Sequence, residues 1–349
     1  MSRAFVRNLY VLGAREKVRF LKDEEEWRLY DRALVVRVDI ETKASEVCAE
    51  HITPLEARAS GNSSVVFKCG TLQGNTLYAC TSTEVLIYEV PEFIRTGYIS
   101  LPCFNDLHHV TPTPEGHLLV ANTGLDMVVE LTRDGKLCRE WNVLGEDPWS
   151  RFSKSIDYRK VETTKPHHSH PNFVFQIENE IWVTRFDQKD AVCLTHPGQR
   201  IEIGVQKPHD GHVIGDRIYF TTVDGNIVVV EKNTLRTVEA VDLKTIDNPE
   251  RALLGWCRGL LVLDESRVWV GFTRVRKTKF KENLNWVRHA FKEGEKPTHI
   301  ALYDLSAQKC LDEVNLEKVG VNVVFSIFPA PESPTEGRPR MGKKGPDAG

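Results

Sequence analysis

The sequence predicts an all-β protein built as a single β-propeller of six four-stranded blades, with five or seven blades as alternatives. Three observations carry this prediction. First, short apolar strands recur, and the central strand of each cluster begins near residue 34, 77, 118, 181, 218 or 268. The steps between them suit the roughly 40–50 residues of a four-stranded propeller blade. Second, a final apolar run over residues 321–328 is available to complete the first blade and close the ring.

The third observation is a polar tripeptide about ten residues before four of these strands. The pairs are His108-His109-Val110 with Leu118-Leu119-Val120, His170-Pro171-Asn172 with Ile181-Trp182-Val183, His209-Asp210-Gly211 with Ile218-Tyr219-Phe220, and Cys257-Arg258-Gly259 with Val268-Trp269-Val270. In a propeller the innermost strand of each blade lines the central channel. Each tripeptide is therefore predicted at the entry of an innermost strand, at one mouth of the channel.

The strand clusters follow one another along the chain in the same form. Most are short, rich in β-branched and aromatic residues, and bounded by Asp, Asn or Gly. They cover residues 33–39, then 76–80 and 84–90, 117–122 and 127–131, 180–184 and 191–194, 217–221 and 226–230, and 267–271 and 299–305. The dipeptides Asp134-Gly135 and Asp224-Gly225 indicate tight turns between strands.

The chain is predicted to hold one domain over residues 1–330 and a disordered tail over 331–349, which is rich in Pro, Gly and charge. Two insertions interrupt the blades, at about residues 146–166 and 274–296. The second is strongly basic. Its residues Leu284, Val287 and Phe291 fall at helical spacing, which favours a short helix there.

Composition narrows the classes of function. The net charge of −3 over 349 residues offers no global field for nucleic acid or an anionic membrane. No apolar run approaches the roughly 18 residues of a transmembrane helix. The N-terminus lacks the features of a signal peptide, and the eight cysteines include no CxxC pair. We therefore expect a cytoplasmic protein whose cysteines are mostly small buried apolar residues.

The tripeptides predict a site where side chains of successive blades converge. His109, His170 and His209 are expected to meet near the axis, with Arg258 from the following blade. Three neutral imidazoles with an open position suit a divalent transition metal such as zinc, iron or manganese. Asp210 would then orient one of the histidines.

Two other interpretations of the same residues stay open. In a metal-free site, a histidine acts as general base while Arg258 grips an anionic group. The catalytic set is then His109, His170, His209, Asp210 and Arg258, and the expected substrate-binding residues are Asn172, Arg185 and Arg274. Alternatively, the polar residues satisfy backbone groups at blade junctions and hold ordered water in the channel.

Two family resemblances accompany these motifs. The segment Phe104-Asn105-Asp106-Leu107-His108-His109-Val110, followed by Val120-Ala121-Asn122-Thr123-Gly124, resembles the sugar-lactonase and NHL-type propellers. The segments His170-Pro171-Asn172 and Gly255-Trp256-Cys257-Arg258-Gly259 resemble a family of uncharacterised bacterial propeller proteins. The lactonase resemblance implies a divalent metal held by Glu, Asn and Asp. This chain departs from that pattern because it offers histidines.

Two functions of different class follow. The first is an enzyme, with or without a metal, that acts on a small polar or anionic molecule in the central funnel. The second is a non-catalytic propeller that binds a protein or small-molecule partner through its top face and basic insertion. The first and second blades carry Phe325-Ser326-Ile327 and Ser64-Val65-Val66 at the matching places. We therefore expect a one-sided pocket at the edge of the funnel.

Overall fold

Six four-stranded antiparallel sheets follow one another around a ring in the computed structural model. The structure describes residues 6–17, 28–248, 252–275 and 295–331. The predicted all-β class and the six blades are confirmed, and the alternatives of five or seven blades are wrong. The predicted helix in the basic insertion and nearly all of the predicted tail lie outside the described residues.

Each blade is built from strands that are neighbours in sequence. Blade 1 contains β1 (Asn8–Glu16), β2 (Tyr30–Asp39) and β3 (Ser45–His51). Blade 2 contains β4 (Thr71–Gln73), β5 (Thr76–Cys80), β6 (Val85–Glu89) and β7 (Ile94–Ile99). Blade 3 contains β8 (Leu107–Pro112), β9 (Leu118–Asn122), β10 (Met127–Leu131) and β11 (Leu137–Asn142).

The second half of the ring repeats this arrangement. Blade 4 contains β12 (Pro171–Ile177), β13 (Glu180–Arg185), β14 (Asp190–Cys193) and β15 (Arg200–Glu202). Blade 5 contains β16 (His212–Ile214), β17 (Arg217–Thr221), β18 (Asn226–Glu231) and β19 (Arg236–Asp242). Blade 6 contains β20 (Trp256–Val262), β21 (Arg267–Thr273), β22 (His299–Asp304) and β23 (Lys309–Asn315).

Short 3-10 helices are the only helical elements among the described residues. They are Leu55–Ala57, Thr123–Leu125, Tyr158–Lys160, Leu243–Thr245 and Glu317–Val319. No helix in the described part of the chain is long and apolar enough to cross a membrane.

The last strand, β24 (Val323–Pro329), closes the ring by joining blade 1. It pairs antiparallel with β1, so the sheet order of blade 1 is β24-β1-β2-β3. The innermost strand of blade 1 therefore comes from the opposite end of the chain to its other three strands. This confirms the closing role predicted for residues 321–328.

Packing between neighbouring blades forms the core. Tyr10 and Val35 of blade 1, for example, pack in one buried cluster with Leu77 of blade 2 and Phe67, which precedes that blade. Such strands are buried on both faces, so their apolar runs are continuous. The outermost strands β7, β11, β19 and β23 are mainly exposed.

All eight cysteines are free thiols. Cys69, Cys80, Cys193 and Cys257 are buried, whereas Cys138 is exposed. The expectation of buried apolar cysteines thus holds for half of them.

Closure of the ring depends on a close approach at Gly13. A Cβ atom at this position would overlap the backbone carbonyl oxygen of Val323 on the closing strand. We predict that Gly13→Ala lowers the free energy of unfolding by about 1–3 kcal/mol, because the backbones of β1 and β24 must separate. Chemical denaturation monitored by tryptophan fluorescence measures this change.

Gly61→Ala is the matched control. A Cβ there meets no atom nearer than 3.9 Å, so we expect a change within about 0.5 kcal/mol. Equal stability of the two variants would contradict the proposed tight closure.

Candidate functional site

A cavity of about 360 Å³ lies where the innermost strands begin. Each blade contributes at least one lining residue near the start of its innermost strand: Phe325, Lys68, His108, Asn172, His209 and Arg258 for blades 1 to 6. We call this space the mouth cavity. Its volume falls within the range of small-molecule sites, roughly 300–1,000 Å³.

His170 and His209 line the mouth cavity, but His109 does not. The Nε2 atom of His109 lies 3.2 Å from the carbonyl oxygen of Gly70, and its Nδ1 accepts a hydrogen bond from Val174 N at 3.3 Å. Its ring stacks on Phe173, with centroids 3.6 Å apart. Both ring nitrogens of His109 thus contact backbone atoms of the neighbouring blades. This is the structural alternative from the sequence analysis, in which polar residues satisfy backbone groups at blade junctions.

His108 takes the place predicted for His109. The pairing of β8 with β9 shifts register between Leu107 and His109, so His108 is the unpaired residue of a β-bulge, a feature that redirects side chains. The His108 ring centroid lies 4.8 Å from that of His170 and 6.3 Å from that of His209. Its Nδ1 lies 2.8 Å from the backbone carbonyl oxygen of Asp106. A carbonyl can only accept, so Nδ1 carries the proton and Nε2 keeps its lone pair.

A lysine of blade 2 was missed by the sequence reasoning. Lys68 lines the mouth cavity and its ammonium group bonds to the Asp106 carboxylate. Ser64-Val65-Val66 was therefore the wrong segment to match with the tripeptides. Lys68-Cys69-Gly70 precedes Leu77 by the same spacing of about ten residues, and this spacing is the signal by which the sequence could have identified it.

Charge around Asp106 keeps the carboxyl group ionised. Burial opposes ionisation, but the Lys68 ammonium and then the neighbouring imidazoles outweigh it and hold the pKa of Asp106 well below its usual range. Burial, followed by the charge of Lys68, keeps the pKa of His108 well below its ordinary value. Burial is also the main reason why the pKa values of His170 and His209 are lowered. The three imidazoles are therefore neutral at neutral pH.

The loop that carries His170 is held by Asp126, a second residue that the sequence reasoning missed. The buried Asp126 carboxylate accepts hydrogen bonds from the backbone N–H groups of His168, Ser169 and His170 at 2.8, 3.0 and 2.8 Å. Arg151 pairs with the same carboxylate at 2.7 Å. Asp126 follows the Asn122-Thr123-Gly124 motif, but the sequence has no signal that links it to a loop more than forty residues away.

Arg258 presents a guanidinium group to the mouth cavity without a carboxylate partner among the described residues. It lies over the ring of Phe325 at 4.6 Å and that of Trp256 at 5.8 Å. Cation–π contacts of this kind fix the position of the guanidinium group without neutralising its charge.

Four buried polar atoms of the lining have no hydrogen-bond partner in the described structure. They are Arg58 Nε, Asn172 Oδ1, His209 Nε2 and Arg258 Nε. The side chains of Asn172 and His209 are almost fully buried, with residue exposures of 0% and 2%. Buried polar atoms are usually paired, so these four atoms are available to a ligand or to water in the cavity.

The two predicted rim arginines lie elsewhere. Arg185 forms an ion pair with the buried Asp190 at 2.6 Å, and Arg274 pairs with Glu317 at 2.7 Å. Neither contributes to the mouth cavity. The first predicted insertion does form part of the cavity wall. The lining residues from this stretch are Arg159, Val161, Glu162, Thr163, Lys165 and Pro166, followed directly by His167.

Three groups of side chains among the described residues have ligand atoms within 4.8 Å of one another, as a metal site requires. They are Cys69–His209–Asp210, Asp106–His167–His170 and Glu180–Cys193–His196. The structure thus divides His170 and His209 between two groups, and His109 belongs to none. In the Asp106 group the ligand atoms already have partners. Lys68 bonds to the Asp106 carboxylate, and the Nδ1 atoms of His167 and His170 lie 2.7 Å apart.

Comparisons with known proteins support the fold. The chain resembles a protein of unknown function from Bacteroides caccae, with a TM-score of 0.60, 14% sequence identity, and coverage of 93% of this chain and 99% of that one. It also resembles a chain of a nidogen/laminin complex, with a TM-score of 0.54, 8% identity, and coverage of 91% and 97%. At these identities the likeness shows the fold alone.

No protein-family model and no curated protein matches the chain. The coarser part of the predicted resemblance, a propeller, is confirmed. The finer resemblance to sugar-lactonase and NHL-type sequences finds no support in these comparisons. The fold and the cavity together define a six-bladed β-propeller with a ligand-type cavity at one mouth of its channel.

Stability should depend on pH through His109. Burial lowers its pKa from 6.5 to about 3 in the folded protein. Between about pH 7.5 and pH 5.5 the unfolded chain gains a proton there that the folded chain does not, which lowers the free energy of unfolding by about 1.3 kcal/mol. His109→Gln removes this contribution, so its stability should fall less steeply with acidification. Urea denaturation at both pH values measures the difference.

The exposed His168 provides the control. His168→Gln should keep the pH dependence of the wild type, whatever its absolute stability. If the His109 and His168 variants show the same slope, the neutral state of buried His109 is contradicted.

Proposed function

We propose that the protein binds a small anionic molecule in the mouth cavity and acts on it by acid–base chemistry. The observation that carries this proposal is a set of four buried polar atoms around one cavity that have no partner among the described residues: Arg58 Nε, Asn172 Oδ1, His209 Nε2 and Arg258 Nε. A ligand that pairs with them removes a desolvation cost of about 1–3 kcal/mol for each group.

The charge of the lining favours an anion. Five basic side chains line the mouth cavity against three acidic ones. The acidic groups are already engaged: Asp106 with Lys68, Glu162 with Arg28, and Asp187 with Lys207. The charge of Arg258 is therefore left for a ligand. Its planar guanidinium group suits a carboxylate or phosphate.

His108 is the best candidate for the general base. Its Nδ1 proton is committed to the Asp106 carbonyl oxygen, so the Nε2 lone pair is the free one. Its lowered pKa keeps the imidazole unprotonated at neutral pH. An unprotonated base near a fixed cation is the arrangement that proton abstraction from a bound acid requires.

Loss of Arg258 should remove anion binding. We expect inorganic phosphate, acetate, lactate and citrate, tested as probes, to include at least one that raises the melting temperature of the wild type. Arg258→Gln should weaken the affinity for that probe at least about tenfold, because a charge-assisted contact is lost. Arg274→Gln removes a charge that is paired with Glu317 outside the mouth cavity and should leave the affinity unchanged. Equal loss in both variants, or no shift in the wild type, would overturn the anion site.

The same system tests catalysis. A bound probe that carries an acidic C–H, such as lactate or citrate, should exchange that hydrogen for deuterium from D₂O in an NMR time course with the wild type, because His108 takes up the proton and returns a deuteron. His108→Gln should slow this exchange by about 10²–10⁴-fold while the affinity changes little. Binding without exchange would favour the second function expected from the sequence, a non-catalytic propeller that binds its partner. The basic insertion offered for that role lies almost entirely outside the described residues.

A further inference from the structure

Two blades bring three ligand-type side chains together at the channel. Cys69 belongs to the entry of blade 2, and His209 with Asp210 forms the entry of blade 5. Their residue exposures are 0%, 2% and 1%. All three ligand atoms lie within 4.8 Å of one another.

The contacts within this trio are loose. His209 Nδ1 lies 3.8 Å from Asp210 Oδ2, beyond the roughly 2.7–3.2 Å of a direct hydrogen bond. It lies 3.9 Å from Cys69 Sγ, at the long end of a hydrogen bond to sulfur. The Cys69 thiol also donates to the carbonyl oxygen of Phe325 at 3.3 Å, a bond that is lost when the thiolate forms.

The same separations fit a shared ion. Tetrahedral zinc binds nitrogen and oxygen at about 2.0–2.2 Å and thiolate sulfur at about 2.3 Å. The ligand atoms around it then lie about 3.3–3.6 Å apart, by simple geometry. The Nδ1–Oδ2 and Nδ1–Sγ separations exceed these values by only a few tenths of an ångström. Small side-chain rotations would therefore bring these atoms within bonding distance of one ion, with a fourth position left open.

The surroundings of Asp210 also fit a metal ligand. Its Oδ2 atom accepts the Thr221 hydroxyl and the backbone N–H of Gly259 at 3.1 Å. Such outer contacts orient a ligating carboxylate. One thiolate and one carboxylate balance a divalent cation, so the buried site would carry no net charge.

We infer that Cys69 Sγ, His209 Nδ1 and a carboxylate oxygen of Asp210 form a binding site for a divalent transition metal, with zinc as the cation that suits a thiolate–imidazole–carboxylate set. The Cys69 thiol releases its proton to solvent when the metal binds. Metal at Nδ1 leaves the proton of His209 on Nε2. This orphaned atom then becomes a hydrogen-bond donor toward the mouth cavity. The metal site does not require anion binding at Arg258.

The site differs from the one that the sequence predicted. It keeps His209, replaces His109 and His170 by a cysteine, and makes Asp210 a direct ligand. The competing Asp106 group would have to break the Lys68 ion pair and the His167–His170 bond before it could hold a cation, whereas the Cys69 group gives up only the weak contacts of its thiol.

Metal content tests the inference directly. The full chain, purified without a histidine tag and dialysed against zinc, should hold one zinc per chain by mass spectrometry. Cobalt in place of zinc should give a thiolate-to-cobalt charge-transfer absorption in the wild type, since one ligand is sulfur. Cys69→Ser and Asp210→Asn should each lower zinc affinity at least tenfold, and zinc affinity should rise with pH.

Cys80→Ser is the matched control, because Cys80 is also fully buried and its thiol donates to the Cys69 carbonyl oxygen at 3.1 Å. It should keep zinc, and so should Arg258→Gln, which separates this inference from anion binding. A wild type without bound zinc or without the cobalt–thiolate band would overturn the inference. So would loss of zinc in His167→Gln but not in Cys69→Ser, since the metal would then lie in the Asp106 group.

Discussion

Antiparallel pairing of β24 with β1 is the interaction on which the rest of the structure depends. It closes the ring, and a closed ring gives all six innermost strands a common axis. Their first residues then lie at one end of the channel. Lys68 and Arg258, far apart in sequence, share a cavity only because the ring is closed.

Burial sets the chemistry of that cavity. Removal of water lowers the pKa of His108, His170 and His209 more than the nearby carboxylates raise it. The imidazoles therefore stay neutral, while Lys68 and Arg258 supply fixed positive charge. This combination serves an anionic ligand and leaves neutral nitrogen atoms for proton transfer or metal binding.

The neighbouring residues His108 and His109 show what the sequence predicted about the site and what it did not. The motif His108-His109 marked the correct place, the start of an innermost strand. A β-bulge at His108 turns this side chain to the cavity, whereas His109 faces the neighbouring blades, where Gly70 and Val174 use both its nitrogens. The choice between the two depends on one step of register, which a tripeptide pattern does not contain. The spacing between Lys68 and the strand that begins near Leu77 could have identified Lys68 from the sequence, whereas no sequence pattern links Asp126 to the site.

The sequence alone predicted six blades as the favoured count, the closing strand and the place of the polar tripeptides at the start of the innermost strands, because each is a local pattern of strand and turn residues repeated along the chain. Only the tertiary structure decided which side chains meet. The pairing of Cys69 with His209 across the channel, the capture of the His170 loop by Asp126, and the ion pairs of Arg185 and Arg274 all join distant segments. Such contacts depend on where the blades stand around the ring.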